Sequence, residues 1–482
     1  MGCVPSVTLA SPALAERLDS RFWRALGWLL VLLVPFFGRM WLIGTYRPLF
    51  SWDAFTRLAN SGTFTIRHWL PVPQLPIYVM AALGFEVPAI RLVYAAVASA
   101  AATGLGIFVS RLSTYASGIA AALLASTLTP YLTYSISPYQ EGFTLLFLAI
   151  ALIALHDLDA CDGRRGSWLV PELVAAAALV CGVLCRFEMW GFWALLGVGF
   201  VVRRQWRRLR VLVPAALVML VWVAGETHRP SPSPLTSEIA GYGPAGLVFR
   251  ALQCSADSAR QLARDVLWIG VPFAVVGAVV SFLRGGRAGR ELFAFWAALM
   301  GLVVVRDVNA AGLTDRMTVL PSVFTITYAS IGLHFLAQRV CKRSQAWLVL
   351  PAALVLAALF SHGTYLKVQL YSRVFAPEAQ ATGLLLELSR SKLFRDGIIV
   401  IPRFIPNQFG EKAVKAMFAN STQLDVNDER WLWNRDRIAR FGHRARVIVG
   451  FDHLAGHYRV FPPQAPPAKD QGKGGTSTTG DP

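Results

Sequence analysis

Apolar residues fill long runs of this chain, and polar residues gather in the shorter stretches between the runs. The hydrocarbon core of a bilayer is crossed by a helix of roughly 20 apolar residues. Runs of about that size predict about eleven membrane spans. They lie near residues 25–45, 91–110, 117–134, 142–156, 168–185, 189–202, 209–225, 265–283, 291–305, 317–337 and 346–363. The pattern therefore predicts an all-α polytopic membrane protein.

Arginine clusters between the runs predict the orientation of the chain in the membrane. If the N-terminal segment 1–24 is cytoplasmic, alternation of about eleven spans places every dense arginine cluster on that same side. These clusters lie around Arg111, at Arg164–Arg165, between Arg203 and Arg210, between Arg284 and Arg290, and between Arg339 and Arg343. We therefore expect a multi-pass protein of the bacterial inner (plasma) membrane, with a cytoplasmic N-terminus and an extracytoplasmic C-terminal segment.

Composition excludes several other classes of protein. The 482 residues are 55% hydrophobic and 15% charged, with a mean hydropathy of +0.48, against about 25% charged residues in ordinary soluble domains. A net charge of +18 follows largely from cytoplasmic arginines, so we expect the lipid bilayer as a partner and no nucleic acid. The nucleotide-binding pattern GxxxxGK[ST], the zinc pattern HExxH and the nucleophile pattern GxSxG are all missing from the sequence.

Segments outside the spans predict the domain organisation. A large outer loop covers residues 46–90 and contains the apolar stretch Leu75–Phe85, which is too short to span and predicts an interfacial or re-entrant helix. A second outer segment covers about residues 226–264. The transmembrane domain then runs from 25 to 366. Residues 367–461 predict a small extracytoplasmic α/β domain, with strands at 397–402 and 446–451 and a helix at 377–391. The Pro/Gly-rich tail 462–482 predicts disorder.

Ionisable residues concentrate at the predicted outer edge of the spans. Charges at a membrane edge or inside it are costly, so they are candidates for a functional site. The set mixes both signs, whereas a pore more often shows rings of one sign. Its members are Asp53, Arg57, Arg67, His68, Glu141, Arg186, Glu188, Glu226, Arg306, Asp307, Asp315 and Arg316.

Each main candidate also has a structural interpretation. Asp53 is either a general base or the N-cap of a helix that begins at Ala54. Arg186 either binds a phosphate or pairs with Glu188. Glu141 either caps the next span or lies in a cavity. Arg316 either makes bidentate contacts with a phosphate or extends its charge to the interface from a helix end. The sequence alone leaves these alternatives open.

Several of these residues lie in segments whose order resembles one known family. The segments are WLPVPQLPIYV at 69–79, YLTYSISPYQEGFTLLFLAIAL at 131–152, CRFEMWGFWALL at 185–196 and TDRMTVLPSVFTI at 314–326; they follow a first span, an early acid in the outer loop and an arginine that begins the second long span. The order resembles the GT-C superfamily of polytopic glycosyltransferases, nearest the dolichyl/polyprenyl-phosphate-mannose-dependent (protein mannosyltransferase-like) branch. The resemblance covers about residues 25–340.

The resemblance implies a transfer of a sugar, mannose or another hexose or pentose. The donor would be a polyprenyl-phosphate-linked sugar and the acceptor an extracytoplasmic hydroxyl on a protein, lipid or glycan. Asp53 would then be the general base, and Arg316, Arg186, Arg57 or Arg67 would hold the lipid phosphate. His68, Glu141 and Glu188 would be further cavity residues. Many relatives carry two acids in tandem in the first loop, but Ala54 follows Asp53 here. No cofactor or metal site is indicated, although this departure leaves a divalent metal open.

Two other classes of function stay open at this stage. A transporter or lipid flippase would favour sequence repeats and charges in the middle of spans, and apart from Arg39 the charges here lie at the edges. A non-catalytic membrane scaffold could use the long outer segments to bind a partner.

Overall fold

Helices form nearly all of the described part of the transmembrane region. The computed structural model describes residues 21–45, 54, 57–58, 70–85, 87–160, 168–227, 244–284, 286–309, 318–340 and 349–369, together with four strands. The helices are α1 (Arg21–Thr45), α2 (Leu75–Ala82), α3 (Val87–Leu112), α4 (Tyr115–Thr127), α5 (Thr129–Ser135), α6 (Glu141–Ala160), α7 (Leu169–Val183), α8 (Glu188–Val202), α9 (Val213–Thr227), α10 (Pro244–Asp265), α11 (Gly270–Arg284), α12 (Gly286–Asn309), α13 (Val319–Val340) and α14 (Val349–Gln369). Two short 3-10 helices cover Val72–Gln74 and Trp206–Val211.

Every predicted span coincides with described helix. Among the described residues, five helices are long and apolar enough to cross a membrane alone, and two bent pairs bring the number to as many as seven. The other four predicted spans coincide with shorter apolar helices, at Leu169–Val183, Glu188–Val202, Val213–Gly225 and Leu292–Val304. The protein is therefore a polytopic helical membrane protein, while the number of about eleven spans remains a prediction. The apolar stretch of the outer loop is also helical, at Val72–Ala82.

One bent pair includes part of the predicted outer segment 226–264. Within this segment α10 begins at Pro244, and it meets α11 at an angle of 106°; the outer position of the segment remains a prediction. Leu267 and Trp268 turn the chain with positive φ angles of 59° and 54°, a conformation that non-glycine residues seldom adopt. Asp265 stabilises this turn by accepting hydrogen bonds from the hydroxyls of Thr318 (2.8 Å) and Ser322 (2.7 Å) near the start of α13.

A buried arginine in the first helix anchors α1 to its neighbours. Arg39 is fully buried, and its guanidinium donates to the hydroxyls of Ser135 (2.7 Å) and Ser99 (3.2 Å) and to the carbonyl of Ser126 (2.9 Å). It also lies 5.6 Å from the ring centroid of Tyr131, within range of a cation–π contact. A charge in an apolar interior needs partners within the protein. The partners of Arg39 lie on α3, α4 and α5, so this network connects α1 to these three helices.

The chain separates into two units, one of residues 1–46 with 63–369 and one of residues 47–62 with 370–482. The second unit contains a sheet of four strands in the order β2-β1-β3-β4: β1 (Ile398–Pro402), β2 (Gln423–Asn427), β3 (Ala445–Asp452) and β4 (His457–Phe461). β1 runs parallel to β2 and β3, and β4 is antiparallel to β3. Strands β1 and β3 lie where the sequence predicts strands. The predicted helix 377–391 and tail 462–482 lie outside the described residues.

Glycines permit a close crossing of α11 and α13 in the transmembrane unit. A Cβ atom on Gly277 of α11 would overlap the carbonyl oxygen of Tyr328, and one on Gly332 of α13 would overlap that of Phe273. Small residues at such crossings let the backbones of membrane helices approach each other closely. Lipid is as apolar as the side chains, so helices in a membrane associate through close packing and not through the hydrophobic effect.

We predict that Gly332→Ala destabilises the protein by about 1–3 kcal/mol, because the added methyl group forces α11 and α13 apart. Thermal unfolding of the purified protein in detergent measures the effect. The matched control is Gly301→Ala on α12, where a Cβ atom meets nothing within 4 Å. An unfolding midpoint that is the same in both variants would show that the crossing does not depend on glycine.

Candidate functional site

One arginine and two glutamates form a buried cluster at one end of the transmembrane unit. Arg186 lies between α7 and α8, Glu188 begins α8 and Glu141 begins α6. The guanidinium of Arg186 contacts both oxygens of Glu188, from Nε to Oε2 at 2.9 Å and from Nη2 to Oε1 at 2.5 Å. Its Nη1 donates to Oε1 of Glu141 at 2.5 Å. The ion pair of Arg186 with Glu188, one of the two sequence interpretations, is therefore present, and Glu141 extends it.

Burial and charge define the electrostatics of this acid–arginine cluster. The side chains of Arg186 and Glu141 are 5% and 2% exposed, whereas that of Glu188 is 24% exposed. Burial lowers the pKa of Arg186, but the charges of Glu188 and Glu141 outweigh that effect, so the net pKa is raised and the guanidinium stays charged. Among the described residues, two carboxylates thus share one guanidinium. Glu188 is the member that a molecule outside the protein can reach.

Local backbone structure positions the three side chains. Glu141 and Glu188 each occupy the first turn of a helix, where the helix dipole favours a negative charge. The peptide N–H of Met189 donates to the carbonyl of Arg186 at 3.1 Å, so the chain enters α8 directly after the arginine. Glu141 and Arg186 are 45 residues apart, and their contact connects α6 to the α7–α8 junction.

The outer-loop segment docks beside the cluster. The peptide N–H of Val72 donates to the carbonyl of Leu184 at 3.2 Å, two residues before Arg186. The hydroxyl of Tyr94 on α3 donates to the carbonyl of Pro73, and the Tyr94 ring meets Phe143 of α6 edge-on at 5.3 Å. The loop segment, the α7–α8 junction and the start of α6 therefore belong to one packed end of the bundle.

The structure places the remaining candidates as follows. Arg57 is fully buried, as is Ala54, and both belong to the second unit. Asp53, Arg67, His68 and Arg316 lie outside the described residues, so neither the catalytic nor the capping interpretation of Asp53 is decided. Glu141, Arg186 and Glu188 are thus the three candidates that the described structure brings together.

Two buried polar groups at helix ends were not among the candidate site residues, although Arg91 was noted as the arginine that begins the second long span. Arg91 is 1% exposed, and its Nε donates to the carbonyl of Ile136 at 2.7 Å, which fixes the loop before Glu141. Asp265 is 9% exposed and collects hydroxyl groups from α13. The available signal for Asp265 was the amphipathic pattern of α10, in which Cys254, Ser258 and Leu262 recur every four residues and are buried.

Comparison with solved structures identifies the fold. The structure of ArnT from Cupriavidus metallidurans bound to undecaprenyl phosphate is similar with a TM-score of 0.57 and 12% identity, over 92% of this chain and 95% of that chain. Its apo state gives a TM-score of 0.53 at 12% identity, over 89% and 94%. The apo oligosaccharyltransferase of Archaeoglobus fulgidus gives 0.52 at 12% identity, over 89% and 70%.

No protein-family model and no curated protein sequence matches the chain. At 12% identity the structural likeness concerns the fold alone. The chain therefore shares the polytopic membrane fold of these structures, which agrees with the helical membrane fold that the sequence predicts. The mannosyltransferase-like branch remains a prediction.

We predict that Arg186→Met destabilises the protein by about 3–5 kcal/mol, because it leaves the carboxylate of Glu141 buried without its cation. Adding Glu141→Leu should recover most of the loss, since a buried ion pair can often be replaced by apolar groups, and Glu188 can reach water. Denaturation of the purified variants measures both effects. Arg210→Met is the control, because Arg210 is 53% exposed in its ion pair with Glu172. Equal losses for Arg186→Met and Arg210→Met would contradict a structural role of the cluster.

Proposed function

We propose that this protein is a membrane glycosyltransferase that moves a sugar from a polyprenyl-phosphate donor to an acceptor hydroxyl. The observation that carries the proposal is the acid–arginine cluster at one end of a GT-C-type bundle, beside the docked outer loop. The ArnT structure with undecaprenyl phosphate supports the class of donor, because that protein shares the fold and holds a polyprenyl phosphate. We place this end on the extracytoplasmic side, as the arginine clusters predict.

The chemistry needs few groups from the protein. A sugar linked to a lipid phosphate already carries its leaving group, so no nucleotide-binding motif is required. A single displacement at the anomeric carbon forms the bond to the acceptor oxygen, breaks the bond to the phosphate oxygen and inverts the carbon. It needs a base for the hydroxyl proton and cations beside the departing phosphate.

Among the candidate residues, the contacts of Arg186 suggest a division of roles. Its Nε, Nη1 and Nη2 already donate to the carboxylates of Glu188 and Glu141. We therefore assign the donor phosphate to Arg57, Arg67 and Arg316, and we assign Arg186 the positioning of Glu188 and Glu141. Asp53 is the general base, and Glu188 takes the place of the second acid, facing the acceptor. His68, next to Arg67, remains a further cavity residue.

A lipid flippase or transporter is the second candidate. Broken helices with buried polar groups are typical of transporters, and the 106° break between α10 and α11 with Asp265 buried beside it is such a feature. A flippase would move the lipid-linked sugar across the bilayer with its glycosidic bond intact, whereas the transferase releases polyprenyl phosphate.

We predict that Asp53→Asn lowers sugar transfer by about 10²–10⁴-fold, the usual contribution of a general base, while the protein still folds. Asparagine retains the volume and the capping capacity of aspartate, so the substitution separates the base from the cap. The assay gives radiolabelled polyprenyl-phosphate mannose, and then other hexose and pentose donors, to proteoliposomes, and it measures label that leaves the lipid phase.

Asp257→Asn is the matched control, because Asp257 is an exposed residue of α10 paired with Arg260 at 3.0 Å. It should transfer at the wild-type rate. If Asp53→Asn transfers sugar at the wild-type rate, Asp53 is not the general base. The protein would then still be a transferase, with a different residue as its base. Label that crosses the bilayer still attached to lipid would contradict the transferase and favour the flippase.

A further inference from the structure

A second polar site lies at the opposite end of the bundle from the acid–arginine cluster. Helix α6 begins at Glu141 and ends near Asp157 and Asp159, and ion pairs connect these aspartates to Arg111 and Arg208. This end, which we call the basic end, also carries Arg203, Arg204, Arg207, Arg210 and Arg290. Among the described residues of this end, arginines outnumber acids.

A cleft opens between α8 and α12 at the basic end. It has a volume of about 120 Å³ and an apolar lining that includes Phe108, Leu152, Leu155, Phe192, Leu196 and Phe295. The rings of Phe192 and Phe295 meet edge-on at 4.5 Å. An apolar cavity of roughly 150 Å³ admits a small hydrocarbon such as benzene, so this cleft is large enough for a short length of an acyl chain.

The cleft reaches the surface that faces lipid. Leu195 of α8 lines it and is 36% exposed, and the neighbouring Val198 and Val202 are 62% and 74% exposed. Ala294 of α12 is an exposed lining residue on the other side. A hydrocarbon chain can therefore enter the cleft sideways from the bilayer, without first crossing water.

Basic side chains border the polar end of the same cleft. Arg203, at the end of α8, and Arg290, near the start of α12, both line it and are exposed. Asp159 is the acid in the described lining, and it forms an ion pair with Arg208. His156 also lines the cleft, and its Nδ1 lies 3.7 Å from Oδ1 of Asp157. Basic pockets between membrane helices suit anionic lipid headgroups.

We infer that the α8–α12 cleft binds an anionic glycerophospholipid of the adjacent leaflet, with an acyl chain against Phe192 and Phe295 and the phosphate between Arg203 and Arg290. Charge and shape favour this occupant, because the cleft is apolar, opens toward the bilayer and has Arg203 and Arg290 at one end. Trp206, which is 61% exposed in the following loop, is a residue type that favours the headgroup region. The inference is independent of the proposed transferase activity.

Native mass spectrometry of the purified protein tests the site with two lipid probes, palmitoyl-oleoyl phosphatidylglycerol and the zwitterionic palmitoyl-oleoyl phosphatidylcholine. We expect phosphatidylglycerol to bind at least about tenfold more tightly, since each basic side chain near the headgroup contributes about fivefold. The double variant Arg203→Gln/Arg290→Gln should lose this preference. The control Arg204→Gln/Arg207→Gln removes the same charge from exposed residues of the same loop that do not line the cleft, and it should retain the preference.

A third variant tests the apolar part without any change of charge. A Cβ atom on Gly199, which lines the cleft, meets nothing within 4 Å, so there is room to begin a larger side chain here. We expect Gly199→Leu to occupy the cleft and abolish the tight phosphatidylglycerol adduct. Equal losses in the two double variants would reduce the site to a general basic surface and overturn the inference. A preference that survives in Gly199→Leu, or inorganic phosphate that displaces the lipid completely, would overturn it as well.

Discussion

The contact of one guanidinium with two carboxylates organises the end of the bundle on which the functional account depends. Glu141 and Arg186 are almost completely buried, and neither charge is tolerable there without the other. Because Glu141 begins α6 and Glu188 begins α8, satisfying the arginine brings two helix N-termini and the α7–α8 junction together. The outer-loop segment then docks on Leu184, beside the same junction.

The same rule governs the other buried polar groups of the transmembrane unit. Arg39 donates to hydroxyl and carbonyl groups on α3, α4 and α5. Asp265 accepts hydrogen bonds from the hydroxyls of Thr318 and Ser322 at the start of α13. In each case one polar side chain in an apolar segment fixes the relative position of helices that apolar packing alone would leave less defined. The acid–arginine cluster differs from these networks because Glu188 remains partly exposed, which gives it a surface for chemistry.

Sequence patterns predicted the helices, two of the strands and the membership of the cluster, but not its geometry. Apolar runs locate helices because lipid demands them, and charges at the ends of runs mark Glu141, Arg186 and Glu188. Hydropathy does not indicate which helix ends meet in space. The contact between residues 141 and 186 could therefore not be predicted without knowing how α6 packs against α7. The turn at Leu267 and Trp268 was also hidden, since non-glycine residues with positive φ leave no compositional signal.

The proposed function requires that a polyprenyl phosphate binds at the end of the bundle that holds Glu141, Arg186 and Glu188. Cryo-electron microscopy of the protein in nanodiscs, with and without added undecaprenyl phosphate, can locate the bound lipid. We expect additional phosphate density at this end, beside the docked segment that begins at Val72, and no displacement of Arg186 from its two glutamates. Undecaprenyl-phosphate density at the basic end alone, near Arg203 and Arg290, would contradict it.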